Sequence, residues 1–205
     1  MIIIFSVKRI LVIGCPGSGK SYFAKKLGNI LNLPVIHMDN LYWTKEKTSI
    51  TREELVNKLK PHLEKDSWII DGNYHHTLKV RLKYATDVFF LDVSREECIQ
   101  GMLERIDQER DDIPWVETRE DAEELIAWTE DYESRTKQEE EELLNEHKEV
   151  KVHRFKSRKE VDDYLESIKN KSHKGFFSRP TWRCLYLYSS LFYSQSLQVQ
   201  ERGWS

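Results

Sequence analysis

The chain is predicted to fold as a three-layer α/β/α domain, a parallel sheet with helices on both faces. Two observations carry this expectation. Short apolar runs rich in branched residues alternate with helical patterns along most of the length, which is the signature of strand–helix–strand units. The first run, in "LVIGCPGSGKSYFAKKL" from Leu11 to Leu27, passes through a glycine-rich turn straight into a helical pattern. With 205 residues and 39% hydrophobic content, the chain has material for one domain with a sizeable core.

The elements follow in order. Arg9–Ile13 reads as a buried strand, and Phe23, Leu27, Ile30 and Leu31 recur at helical spacing behind it. Further strands are predicted at Pro34–Met38, Trp68–Ile70, Asp87–Val93 and Val150–Phe155. Helix starts are marked by a hydroxyl followed three residues later by a carboxylate: Thr51 with Glu54, Ser94 with Glu97, Thr118 with Asp121 and Ser157 with Glu160. That spacing lets each side chain satisfy an unpaired backbone N–H of the first turn. "EEEE" at Glu139–Glu142 lies inside the long helical stretch and reads as a solvated face. The domain is expected over residues 1–170, and the aromatic, serine-rich stretch 171–205, without either clean period, is expected to be a poorly ordered appendage.

The glycine-rich turn has its own chemistry. Repeated glycine lets backbone N–H groups converge on one point, and the following helix adds its unpaired N–H groups and positive dipole end. Such a nest suits an anion. Gly14, Gly19, Lys20 and Ser21 fit G-x-x-x-x-G-K-[ST], so Gly14, Pro16, Gly17, Ser18, Gly19, Lys20 and Ser21 are candidate binders of ATP phosphates. Lys20 would reach the outer phosphates, and the Ser21 hydroxyl would ligate Mg²⁺. The pattern defines a P-loop NTPase.

In an open parallel sheet, ligands sit beyond the carboxyl ends of the strands. Asp71 ends the third strand and precedes Gly72, which suits either a carboxylate facing Mg²⁺ or an ordinary Asp-Gly turn. Asp39, in "HMDNLYW", has two readings: a catalytic partner of an acceptor hydroxyl, or the cap of the next helix. Trp43 and Trp115 suit stacking on a substrate ring or plain packing. Arg81, in "LKVRLKYA", is a candidate for gripping an acceptor anion, because its fork matches phosphate or carboxylate. His75 and His76 are adjacent and cannot share one face as metal ligands; they are expected at the surface or on the acceptor side. Arg105 and Arg110 sit where the helix from Ser94 gives way to a polar link, "DQERDDIPW", ahead of a second helix. A movable flap over residues 105–130 would bring these arginines onto a transferring phosphoryl group.

Composition excludes some classes. Net charge is −3, and Glu117–Glu149 holds 14 acidic residues against 4 basic ones, a face that would repel a phosphate backbone. Nucleic acid is therefore not the expected partner. Cys15, Cys98 and Cys184 show no C-x-x-C spacing, so neither a disulfide framework nor a zinc site is indicated, and a reducing cytoplasm is the natural setting. "MIIIFSVKR" is too short in its apolar run for a secretory signal, and no segment approaches the ~20 apolar residues of a membrane span. Nothing in the sequence specifies an oligomeric state.

From about Lys8 to Lys169 the chain resembles the adenylate-kinase-like group of P-loop kinases, most closely the bacterial proteins labelled DNA topology modulation protein or adenylate kinase-related. "GCPGSGKS", "HMDNLYW", "WIIDGNY" followed by "RLKYATDVFFLD", and the helix ending in "ERI" carry the resemblance. It implies a five-stranded parallel sheet in order 2-3-1-4-5, a helical lid insertion beginning near Arg105, Asp71 in the Walker B place and Asp39 facing the acceptor. The implied activity is transfer of the ATP γ-phosphoryl to a nucleotide or other small-molecule acceptor; the alternative is an ATP-binding regulator or ATPase linked to DNA topology. Adenylate kinases carry a short Pro-Arg after the strand-3 Asp-Gly. Here Asn73, Tyr74, His75 and His76 stand in that place.

Overall fold

The structure is a computed structural model and describes residues 7–177. Five strands, β1 (Arg9–Gly14), β2 (Val35–His37), β3 (Trp68–Asp71), β4 (Asp87–Leu91) and β5 (Lys151–Phe155), form one parallel sheet in order β2-β3-β1-β4-β5. The architecture and strand order are those the sequence predicts. Every neighbouring pair is parallel, with Leu11 opposite Ile70 on one side of β1 and opposite Val88 on the other. A central strand flanked this way is covered on both faces, which is why β1 is apolar without alternation.

Alternate residues of β1 feed two cores. Leu11 and Ile13 pack with Leu55, Leu59 and Leu63 of α3 (Arg52–Leu63) and Leu78 and Leu82 of α4 (His75–Leu82). Ile10 and Val12 face the other way, onto Phe23, Ala24 and Leu27 of α1 (Lys20–Leu31) and Val161 and Leu165 of α8 (Arg158–Phe177). Between these come α2 (Met38–Tyr42), α5 (Arg95–Leu103), α6 (Arg119–Asp131) and α7 (Lys137–Glu146). The predicted caps are made: Thr51, Ser94 and Thr118 each accept the N–H three residues on, as does Ser157. Thr51 and Thr118 complete full capping boxes.

Two expectations meet a different arrangement. The segment between α5 and α6 is irregular, a non-helical link followed by α6 where a helical insertion is expected. α6 and α7 are joined by a π-helical turn at Tyr132–Thr136, giving one nearly continuous rod. α8 runs past residue 170 to Phe177; residues 178–205, most of the expected appendage, lie outside the described residues. Compact packing divides the chain at Ile168, with Lys169–Ser205 as a second unit. No helix among the described residues is long and apolar enough to cross a membrane.

The run Glu139–Glu142 is not uniformly solvated. Glu140 is fully buried, and its Oε2 accepts from the Tyr132 hydroxyl at 3.0 Å. Burial pushes its carboxyl up to about 7, although the Tyr132 hydrogen bond and the nearby Arg81 charge pull the other way. An acid whose folded value lies above its ordinary 4.5 adds stability that is complete below about pH 4.5 and lost as pH rises through about 7. The loss is on the order of 3 kcal/mol. Glu140→Gln, which keeps an acceptor oxygen for Tyr132, should therefore match the parent near pH 5 and melt higher than it at pH 8. Thermal melts across that range check this, and a stability gap that does not change with pH contradicts it.

Candidate active site

The turn after β1 is held in a shape that only glycine allows at two points. Gly17 has φ +78°, and a Cβ there would lie 1.9 Å from the Cys98 carbonyl oxygen of α5. Gly14 has φ +142°, and a Cβ there would lie 2.5 Å from the Leu91 carbonyl at the end of β4. The loop is thus clamped between strand end and helix, with α1 opening immediately after Gly19. The Lys20 ammonium folds back onto the Gly14 and Cys15 carbonyls at 2.9 and 2.8 Å. Burial makes its charge less favourable and lowers its pKa, opposed in part by nearby acidic groups including Asp71 and Asp39.

Ser21 on the first turn of α1 meets Asp71 at the end of β3, its hydroxyl donating to Oδ2 at 2.7 Å. This pair is a hydroxyl beside a carboxylate, the oxygen set Mg²⁺ takes alongside phosphate oxygens and water. Among the described residues no cluster of three or more His, Cys, Asp or Glu side chains is placed to hold a metal ion. His37 pairs with the other Asp71 oxygen, Nδ1 to Oδ1 at 2.6 Å, because β2 and β3 align His37 directly opposite Asp71. Sequence reasoning missed His37; its place at the end of the second strand, two residues before Asp39, was the available signal.

Asp39 lies in α2, but His37 occupies the cap position and caps without its side chain, so Asp39 is not the helix cap. Its Oδ1 accepts from the Tyr74 hydroxyl at 2.7 Å, and burial raises its pKa. Tyr74 is positioned by the loop after β3, where Asn73 Oδ1 accepts the Gly14 N–H at 3.1 Å and ties that loop to the phosphate loop. Asn73 and Tyr74 therefore link Asp39 to the P-loop.

Arg81 does not stand where the sequence reading put it. It is fully buried and lies outside the cavity lining; Nη1 donates to the Gly72 carbonyl at 2.9 Å and Nη2 to the Asn73 carbonyl at 2.8 Å. A guanidinium buried outside the cavity, its terminal nitrogens on backbone carbonyls, cannot grip an acceptor anion. Its role is to brace the Gly72–Tyr74 loop.

Arg105 and Arg110 both border the cleft, and the structure separates them. Arg110 is fully engaged, with Nε on Asp112 Oδ1 at 3.1 Å, Nη2 on Asp112 Oδ2 and Nη1 on Glu117. Arg105 pairs through Nε with Glu117 at 2.7 Å, and its two terminal nitrogens have no hydrogen-bond partner among the described residues. Asp112 lies well below the ordinary carboxylate range: burial would raise it, but the hydrogen bonds from Arg110 and the charges of Arg110 and Lys25 outweigh that. Lys25 of α1 also pairs with Asp111, and the Asn40 side chain donates to the Asp111 carbonyl at 2.8 Å. The α5–α6 link is thereby laid across the cleft, from α1 to α2.

One cavity of about 1150 Å³ is bordered by the P-loop, Asp39, Trp43, Asp71 to His76, Arg105, Arg110 and Trp115. Single small-molecule sites occupy roughly 300–1,000 Å³, so there is room for a nucleotide and a second molecule. Gly72 and Trp43 stand on its border as predicted candidates; Trp43 meets Trp115 edge-on, with ring centroids 5.8 Å apart at 81°. His75 and His76 also border it.

The sheet order and P-loop define the fold of the P-loop kinases. No family model matches the sequence, and no curated protein matches it. Among solved structures the chain is similar to shikimate kinase from Bacteroides thetaiotaomicron, with 17% identity, a TM-score of 0.51, and coverage of 80% of this chain and 97% of that one. It is also similar to deoxyadenosine kinase from M. mycoides with bound dATP, at 15% identity and TM-score 0.43, covering 79% of this chain and 97% of that one.

Proposed function

We propose that this chain is an ATP-dependent phosphotransferase that moves the γ-phosphoryl group to a small-molecule acceptor. The observation that carries the reading is the Ser21–Asp71 contact beside the P-loop, in the same cavity as Asp39. The likeness of "GCPGSGKS", "HMDNLYW" and "WIIDGNY" to the adenylate-kinase-like group supports it. Ser21 and Asp71 would hold Mg²⁺, which supplies neutralisation of phosphate charge when bound with ATP.

The chain's own groups then divide the work. P-loop amides and the Lys20 ammonium, turned from its carbonyls, bind and orient the phosphates. Asp39 takes the acceptor hydroxyl proton as the oxygen forms its bond to Pγ; the bridging Pγ–O bond breaks, and its electron pair leaves with ADP. Arg105 offers its terminal nitrogens to the transferring phosphoryl, while Arg110 holds Asp112 and Glu117 in place. The α5–α6 link acts as the lid that keeps out water.

ADP release measured across an acceptor panel, against a control without acceptor, tests the reading. Acceptor-dependent ADP is expected; ADP release that no acceptor accelerates would instead mark an ATPase. Within the same assay Arg105→Ala should lower turnover by about 10²–10³ with a smaller effect on ATP affinity, as for other preorganised charge stabilisers. Unchanged turnover removes Arg105 from the phosphoryl.

A further inference from the structure

We infer that the acceptor is an alcohol bearing a flat ring and no acid group, a deepening that rests on the phosphotransferase reading. The charge around the acceptor end of the cavity is already committed. Lys47 lies on Asp121, both carboxylate oxygens at 2.7 Å from its Nζ. Lys25 is held by Asp111 and Asp112, and Arg110 by Asp112 and Glu117. Arg81, beneath the loop after β3, is buried on backbone carbonyls. The terminal nitrogens of Arg105 stay open, and the transferring phosphoryl takes them.

Carboxylates at this end go beyond what those cations balance. Asp39 receives only the Tyr74 hydroxyl, and Glu124 on the exposed side of α6 borders the cavity with no ion pair among the described residues. A phosphate monoester or carboxylate entering here would meet like charge while Lys47, Lys25 and Arg110 are already paired, which costs more as the lid excludes water. A neutral hydroxyl instead finds Asp39 as its hydrogen-bond acceptor. Aromatic surface also borders the cavity: Trp43 and Trp115 stand edge-on at 5.8 Å, and Tyr74 lines it as well, backed by Tyr42 at 5.0 Å. Indole and phenol surface of this kind gains from a flat ring. The reaction balances as before: the alcohol oxygen bonds to Pγ, the proton goes to Asp39 and ADP leaves with the electron pair.

The test uses matched pairs on the full chain. Nucleosides are compared with their 3′- and 5′-monophosphates, and cyclic alcohols with their ring-carboxylate counterparts, by calorimetry with Mg²⁺ and a non-hydrolysable ATP analogue. Neutral members should bind at least tenfold more tightly than acidic ones. Trp43→Ala should weaken the neutral ring alcohols about tenfold and leave binding of the ATP analogue as it is, and Glu124→Lys, an exposed change, should narrow the gap in favour of the acids. Equal or tighter binding of the acidic members, or binding of neither class, overturns the inference. Label transfer from γ-labelled ATP is read separately: discrimination without transfer sinks the phosphotransferase reading and leaves the chemistry of the pocket standing.

Discussion

Lys20→Ala should abolish stabilisation of the fold by ATP and Mg²⁺ while leaving the fold itself in place. The ammonium touches only the Gly14 and Cys15 carbonyls of its own loop, so its removal forfeits two hydrogen bonds and opens no core cavity. The ligand loses much more, because the lysine is the flexible point charge that reaches the outer phosphates. For the parent, ligand at a hundred times its dissociation constant adds ~2.7 kcal/mol. In a domain of this size that raises the melting temperature by about 5–10 °C. The variant should show no shift under the same conditions and an unliganded melt close to the parent's. A parent that shows no shift at all would mean that the loop does not serve ATP.

Asp39→Asn should lower turnover by about 10²–10⁴, the usual loss when a positioned base is removed. Asparagine has the same shape and keeps an oxygen for the Tyr74 hydroxyl, so α2 and the loop after β3 should stay in place. ATP affinity should change little, since the phosphates are held by the P-loop and Lys20. The measurement is steady-state turnover together with ATP affinity by calorimetry. Unchanged turnover would leave Asp39 as a bracket for Tyr74 and nothing more.

The parts of the site legible in the sequence are those made by neighbours in the chain. Gly14 to Ser21 form a contiguous loop whose backbone geometry is set by glycine, and Thr51, Ser94, Thr118 and Ser157 act on N–H groups three residues away. The parts that stayed hidden are made by residues far apart. His37 reaches Asp71 only because β2 lies beside β3 in matching register. Its place at the end of the second strand marks it as a site candidate, but nothing within "PVIHMDN" shows that its partner is Asp71. Glu140 is one of four identical residues, and which of them turns inward depends on the phase of α7 as it packs against α4.

Arg81 shows the limit most directly. Its residue type and its place after the third strand suited an anion grip. The tertiary structure instead buries it beneath the Gly72–Tyr74 loop, where unpaired carbonyls need donors that water cannot supply. Arg105 and Arg110 read alike in sequence, but folding places Asp112 and Glu117 against every nitrogen of one and leaves the terminal nitrogens of the other open. The sequence by itself determined the α/β class, the phosphate loop and the helix starts, because strand burial, glycine geometry and capping are local or periodic properties. Only the tertiary structure decided which charges face the cleft and which are spent on the protein, because that depends on the partners that packing brings within hydrogen-bond reach.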